Sequence, residues 1–362
     1  MNFLIIGDLH IKKNNLNDID TFLLKLDNYL QSNNNIQYII FLGDMMHYHE
    51  KLFTPCLNKA LDFISIIENY SIKQTIILVG NHDYITPTEF MTKNHWLNVI
   101  TSNKIKVVDT GYILFVEDHF FIFMPYIENG RFKEGLDNLC DQNNLNYHDA
   151  TIIFAHQEFK GAKLTYDHLS NVGDHWDANA DPLIISGHIH TNHYSQKNIY
   201  YPGSCMKHDF GERTKPVITL LEFYNEFNPK INELPIKKID LELSKKKMKK
   251  FNIEDFCEKN KDEIYLYLNE KQEKISKYKL ILSGSIEKIK VFKESKMYKT
   301  LQENKKILIS FNCIKSKYVE IEKENEKIMT PRDFFYKYLA DSINSKNNNY
   351  LNDDYIHFIR QL

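Results

Sequence analysis

The sequence predicts an α/β fold, layered sheets of largely parallel strands flanked by helices, with a small α+β domain behind it. Short apolar, β-rich runs recur and each ends in a polar cluster; amphipathic stretches of helical spacing separate the first three; and the balance of charge reverses near residue 235. With 362 residues, 43% hydrophobic and 13% aromatic, the chain can bury a sizeable core and is long enough for two domains. A disordered chain and a single small domain are both excluded.

The elements follow in order. NFLIIGDLH (2–10), IQYIIFLGD (36–44) and QTIILVGNHD (74–83) read as near-continuous apolar strands, the pattern of a sheet covered on both faces. Between them lie a helix over about 17–31, with Leu23, Leu26 and Leu30 on one face, and another over about 55–69, with Leu57, Leu61, Ile64 and Ile67. GYILFVEDHFFIFMPY (111–126) predicts a hairpin turning near Glu117 and Asp118, which makes the sheet mixed or doubled. A helix near 132–145 precedes the strands ATIIFAHQ (150–157) and PLIISGHIH (182–190). After PVITLLEFYNEFNP (216–229), the stretch IKKIDLELSKKKMKKF (236–251) reads as a charged connection. Strands at 262–269, 278–285 and 306–312 and helices at 331–343 and 355–362 complete the chain. The expected division is a domain over 1–235, a charged linker over 236–254 and an α+β domain over 255–362.

Residues 1–235 carry 18 basic and 28 acidic side chains and the remainder 28 and 20, so a net charge of −2 conceals about −10 and about +8. Of 15 histidines, all but His357 lie between His10 and His208. The cysteines Cys56, Cys140, Cys205, Cys257 and Cys313 form no CxxC pair, which points to reduced thiols in an intracellular, soluble protein. No apolar run approaches the roughly 20 residues of a membrane span, so no membrane partner is expected. The start, MNFLIIGDLH, lacks the cationic region of a signal peptide.

Five strand-end clusters hold nearly all the candidate ligands: Asp8 and His10; Asp44 and His47; Asn81, His82 and Asp83; His156; and His188 with His190. A loop histidine or aspartate taken singly is more often a surface or capping residue. Loops beyond the carboxyl ends of strands, however, meet in one crevice of an α/β sheet, so these clusters are expected to converge. Oxygen and nitrogen donors without thiolate favour manganese, iron or zinc over soft-metal sites. There are more donors than one ion needs, and a carboxylate such as Asp44 can bridge two. Ions about 3.5–4 Å apart form the clamp that hydrolyses phosphate esters.

In that order, GDLH, GDMMH, GNHD, a lone AH and GHIH resemble the signature of the calcineurin-like metallophosphoesterases, over about residues 1–225. The resemblance implies a layered β-sandwich flanked by helices and two divalent ions, manganese first, with zinc, iron or magnesium also compatible. By resemblance Asp8, His10, Asp44 and His190 hold one ion, and Asp44, Asn81, His156 and His188 the other. His82 contacts the phosphate and protonates the leaving oxygen, with Asp83 orienting its ring.

The second motif narrows the branch. Protein phosphatases of this superfamily carry GDYVDRG there, with an arginine that grips phosphate; GDMMHYHE lacks it. A histidine three residues after the bridging aspartate resembles the SbcD-like DNA-repair nuclease subunits, and implies that His47 helps set a DNA phosphodiester for attack. That family also implies DNA as partner, a capping domain, an ABC-type ATPase subunit and a homodimer formed by the helices near 17–31 and 51–69. The lysines of KKIDLELSKKKMKK and KIKVFKESKMYK lie where a DNA backbone would pass, with Tyr265, Tyr267, Phe292 and Tyr298 among them. In the long loop 158–181, Lys160, Lys163 and Trp176 are candidate substrate contacts, and His49 and His208 match no ligand position. The rival readings are a small-molecule or nucleotide phosphoesterase with the same ions, and a non-catalytic scaffold that kept the fold.

Overall fold

The computed structural model describes residues 1–164, 168–212, 214–228, 233–243, 246–258, 277–304 and 306–314. The chain divides into two compact units, Met1–Cys313 and Ile314–Leu362. The strand expected at 262–269 and the helices expected at 331–343 and 355–362 lie outside the described residues.

The elements are, in order, β1 (Asn2–Ile6), α1 (Leu16–Ser32), β2 (Tyr38–Phe41), α2 (Thr54–Glu68), β3 (Gln74–Leu78), β4 (Ile105–Val108), β5 (Tyr112–Val116), β6 (His119–Phe123), α3 (Phe132–Gln142), β7 (Ile152–Ala155), β8 (Ile184–Ser186), β9 (His193–Gln196), β10 (Ile199–Tyr201) and β11 (Ile218–Glu222). There follow β12 (Ile236–Ile239), β13 (Lys246–Asn252), α4 (Ile253–Glu258), β14 (Lys277–Gly284), α5 (Ile286–Glu294), α6 (Lys296–Glu303) and β15 (Ile307–Cys313).

Two six-stranded sheets form the larger part. One has the order β12-β11-β1-β2-β3-β4, with β1 to β4 parallel; the other has the order β5-β6-β7-β8-β10-β9, with β6, β7, β8 and β10 parallel. Strand alternation decides what each face buries. Phe3 and Ile5 of β1, Ile40 of β2 and Ile76 of β3 point inward against Phe121, Phe123, Phe154 and Ile185 of the opposite sheet. Leu4, Ile6, Ile39 and Phe41 point outward against Leu23, Leu26 and Leu30 of α1 and Phe63, Ile64 and Ile67 of α2. On the far side, Ile122, Ile153 and Ile184 meet Phe132, Leu136 and Cys140 of α3. The layers are therefore helix, sheet, sheet, helix, and the expected hairpin β5–β6, with Val116 opposite His119, opens the second sheet.

Two differences from the sequence reading share one cause. Residues 236–254, expected as a charged linker, carry β12, the whole of β13 and the start of α4. Among the described residues both are edge strands, β12 paired with β11 alone and β13 with β14 alone, and lysine is a usual occupant of an edge, where it discourages pairing with another chain. A lysine run therefore concealed strand periodicity. The third sheet, β13-β14-β15, is wholly parallel, and α4, α5 and α6 bury Phe256, Phe292 and Leu301 against Tyr278, Leu280 and Leu282 of β14. Phe292, expected among DNA contacts, is thus a core residue, and Tyr298 packs against the same cluster. Among the described residues no helix is long and apolar enough to cross a membrane.

The inter-sheet layer is packed with aromatic rings. Phe154 is fully buried and stacks on Phe123 at 5.0 Å with planes 8° apart. Phe154→Ala is expected to remove about 3–5 kcal/mol of stability, read as a lower urea midpoint at unchanged slope; an unchanged midpoint would show that the layer refills the space.

Candidate metal centre

All of the strand-end clusters arrive at the carboxyl edges of the two facing sheets. Asp8 and His10 follow β1, Asp44 follows β2 and Asn81 follows β3, while His156 follows β7 and His188 follows β8. Among the described residues three groups of donor atoms result, each with its atoms within 4.8 Å of one another: one of His10, His47 and His82, and two that contain an aspartate, Asp8 with His10 and His190, and Asp44 with His156 and His188. Asp44 belongs to both neighbourhoods, with Oδ2 3.4 Å from His10 Nε2 and Oδ1 3.4 Å from His156 Nε2. Asn81 Oδ1 joins the Asp44 group, 3.1 Å from His156 Nε2 and 2.9 Å from His188 Nδ1. His10 Nε2 and His190 Nε2 face each other at 3.0 Å.

The backbone is bent to achieve this. His10 (φ 44°), Asp44 (φ 56°) and His188 (φ 72°) all take the left-handed conformation that non-glycine residues rarely adopt. Local bonds fix it: the amides of Leu9 and His10 donate to the Asp44 carbonyl, and the His188 amide donates to Asp8 Oδ1 at 3.1 Å. His156 donates from Nδ1 to the Leu42 carbonyl at 2.5 Å, which leaves Nε2 facing the centre.

The electrostatics suit cations. Burial lowers the His10 pKa well below the usual imidazole range, so it is a neutral donor. Burial would raise Asp44, but His156, His10 and His82 outweigh it and hold that carboxyl well below its usual range. Burial also opposes protonation of His156, yet Asp44 and Asp8 push it up to about 9, a sign that this point favours positive charge. Asp8 Oδ2 is buried with no hydrogen-bond partner. A buried, unpartnered carboxylate oxygen beside imidazole nitrogens and an amide oxygen fits a divalent cation of the oxygen- and nitrogen-loving class.

His82 stands outside the two aspartate-bearing groups and shares the third with His10 and His47. Its amide donates to Asp44 Oδ1 at 2.8 Å, and its Nδ1 lies 2.8 Å from the His47 carbonyl, which leaves Nε2 out of that bond. The ring is sandwiched between His47 (5.4 Å, 8°) and His49 (4.9 Å, 18°). His47 Nδ1 also lies 3.4 Å from His10 Nδ1, and burial, with Lys12 and His82 nearby, lowers its pKa to about 4.

Asp83 corrects an expectation. It does not orient the His82 ring, a task that falls to the His47 carbonyl. Its buried carboxylate instead accepts from the amides of Asp44 (2.9 Å), Gly80 (3.1 Å), Met45 (3.1 Å) and Met46 (3.2 Å) and from Trp96 Nε1 (3.0 Å). Burial and the nearby Asp44 push its pKa up to about 6, while these donors favour its charged form. Asp83 is thus the clamp on the turn that carries Asp44.

Sequence reasoning missed other neighbours. His208 is buried; it donates from Nε2 to the Asp8 carbonyl at 3.0 Å, and its ring lies 5.0 Å from those of His10 and His190. Tyr126 stacks on His188 (6.0 Å, 25°). Histidine enrichment was a signal for His208; nothing in the pattern marked Tyr126. Trp176, expected as a substrate contact, is buried in the core behind the second sheet, with Nε1 bonded to the Pro182 carbonyl, whereas Lys160 and Lys163 are exposed.

Asp83→Ala would leave several buried amides without an acceptor at about 1–3 kcal/mol each. It is expected to lower the melting temperature of the metal-free protein and to abolish turnover; a variant as stable as the parent would show that the Asp44 turn is held by other means.

The sequence pattern described as calcineurin-like phosphoesterase matches residues 1–192. "Putative phosphoesterase 244L" of Invertebrate iridescent virus 6 is 39% identical over 297 residues, which is 81% of this chain and 98% of that protein. "Putative phosphoesterase 078R" of Invertebrate iridescent virus 3 is 34% identical over 301 residues, 83% of this chain and 81% of that protein. Among solved structures, a hypothetical protein from Thermus thermophilus aligns with TM-score 0.34 and 12% identity, over 66% of this chain and 98% of its own. Metal-ligating residue types at the ends of facing sheets, the matched pattern and the two viral relatives together place the chain in the calcineurin-like phosphoesterase family.

Proposed function

We propose that this phosphoesterase is a two-metal nuclease that hydrolyses DNA phosphodiesters, of the SbcD-like kind. The observation that carries the two-ion part is Asp44, one buried carboxylate presenting an oxygen to each of two donor groups. Support for a diester substrate comes from His47, which occupies the mouth of the centre between His10 and His82, where a phosphatase of this family would place an arginine. The third sheet also reaches the rim of the centre. Lys246 Nζ donates to the His208 carbonyl at 3.1 Å and Lys277 Nζ to the Asn14 carbonyl at 2.6 Å.

In this reading Asp8, His10, Asp44 and His190 hold one divalent ion, and Asp44, Asn81, His156 and His188 the other, with manganese the first choice. Bound ions supply charge to the phosphoryl oxygens and activate water. The chain's own residues do the rest. His47 contacts the phosphodiester and fixes its orientation. His82, held by the His47 carbonyl at Nδ1, presents Nε2 to the leaving oxygen and delivers its proton there. Asp83 keeps the Asp44 turn in place while charge develops. An ABC-type ATPase partner and a homodimer belong to this reading through the resemblance to SbcD-like subunits.

A small-molecule phosphoesterase is the second reading, favoured by the fate of the lysines. Lys246 is buried, with Asp18 Oδ2 at 3.8 Å, so part of the basic run serves packing.

Purified protein with manganese is expected to degrade linear double- or single-stranded DNA, and a chelator to stop it. Fast turnover of a small phosphomonoester with no cleavage of DNA would overturn the nuclease reading. Asp44→Ala is expected to lose both ions and nearly all activity. His82→Asn should retain two ions by elemental analysis yet lose about 10²–10⁴-fold in turnover; a His82→Asn enzyme of normal rate would remove that residue from the mechanism.

A further inference from the structure

Two carboxylates stand behind the GHIH pair, on the side away from the donor groups. Glu158 Oε2 lies 3.6 Å from His188 Nε2, and Glu212 Oε1 lies 3.4 Å from His190 Nδ1. The opposite nitrogen of each ring is the one turned inward: His188 Nδ1 is 2.9 Å from Asn81 Oδ1, and His190 Nε2 is 3.0 Å from His10 Nε2. The two histidines are two residues apart and present different ring atoms, each with a glutamate on the other atom.

We propose that Glu158 and Glu212 are positioning residues that accept the outer ring N–H of His188 and His190 and thereby fix Nδ1 of the first and Nε2 of the second as metal-binding atoms. The inference rests on the two-ion reading above. A neutral imidazole that ligates through one nitrogen must carry its proton on the other, and that proton needs an acceptor. Glu212 Oε1, the oxygen that faces His190, is buried without a hydrogen-bond partner, and Glu158 turns its Oε2 toward His188. Neither is otherwise idle. The second oxygen of Glu212 accepts the His208 amide at 2.9 Å, which anchors the carboxylate to the segment beneath His190. Glu158 is seated where its own carbonyl accepts the Asp174 amide at 2.9 Å, so the backbone beneath it is tied to the far end of the 158–181 loop.

A carboxylate in this place raises the basicity of the imidazole and removes rotational freedom, and its loss typically costs about 10–100-fold in metal affinity. The distribution is specific: Glu158 serves the ion near Asn81 and His156, and Glu212 the ion near Asp8 and His10.

The test is calorimetric titration of manganese into the chelator-stripped full-length protein, with the melting temperature of the metal-free protein recorded in parallel. The parent is expected to bind two ions. Glu158→Gln and Glu212→Gln should each weaken one site about 10–100-fold, the Ala variants at least as much, with metal-free melting close to the parent's. The same proteins loaded with zinc and labelled with ¹⁵N-histidine should show His188 ligated through Nδ1 and His190 through Nε2. Unchanged manganese affinity in all four variants, or both rings bound through the same atom, would overturn the inference. A parent protein that binds no pair of ions would instead overturn the two-ion reading beneath it, so the two failures are distinguishable.

Discussion

The Asp44 carboxylate is the constraint on which the site depends. It is almost fully buried, which by itself disfavours charge, and it is held ionised by the imidazoles on both sides of it. It sits in a left-handed backbone conformation at a cost of order 1–3 kcal/mol. Such a residue persists only where its surroundings leave no alternative. Asp83 supplies that condition from below by gathering the amides of residues 44, 45 and 46, while the Asp44 carbonyl in turn fixes residues 9 and 10. A single turn after β2 therefore determines where the β1 ligands lie, and the strain is distributed over a hydrogen-bonded unit rather than stored in one residue.

The strands of the two main sheets that carry the site were legible in the sequence because each is apolar throughout and ends in a polar cluster, and the helices because Leu23, Leu26, Leu30 and Phe63, Ile64, Ile67 keep their spacing. The donor residues were legible for the same reason: they cap those runs. What was hidden depends on contacts that periodicity does not encode. β9 and β10 are short, three to four residues each, and offer too little pattern. β12 and β13 are lysine-bearing edges. The role of Asp83 follows from four amides meeting one carboxylate, and neighbours of His82 in sequence give no hint that the His47 carbonyl, 35 residues earlier, is its partner. Glu158 lies only two residues from His156, yet it serves His188.

The division of charge also takes on a different meaning at residue level. About −10 over residues 1–235 looked like a generic acidic domain, but at the centre the carboxylates are few, buried and surrounded by imidazoles whose protonation they favour and burial opposes. Bound cations add to that balance and are part of it. The basic remainder is likewise not uniform: Lys246 is spent on a backbone carbonyl and Asp18, whereas Lys250 is exposed on β13.

The centre also depends on how closely the two sheets approach at their carboxyl edges. His156 leaves one sheet and bonds to the Leu42 carbonyl of the other, so the distance from Asp44 to His156 is set by the aromatic layer between the sheets. That approach leaves no room for side chains at the crossing. A Cβ on Gly43, which has φ +102°, would come within 2.5 Å of His156 Nδ1, and one on Gly187 within 2.6 Å of the Leu42 carbonyl oxygen. The glycines of GDMMH and GHIH thus have a mechanical reason to be there that is separate from the ligands they precede. Phe123 and Phe154 space the sheets while the glycines let their ends close, and the donor groups fall into place where these two requirements meet. The inter-sheet core is therefore part of the site: a change in its volume alters the separation of ligands that belong to different sheets, even where no ligand is touched.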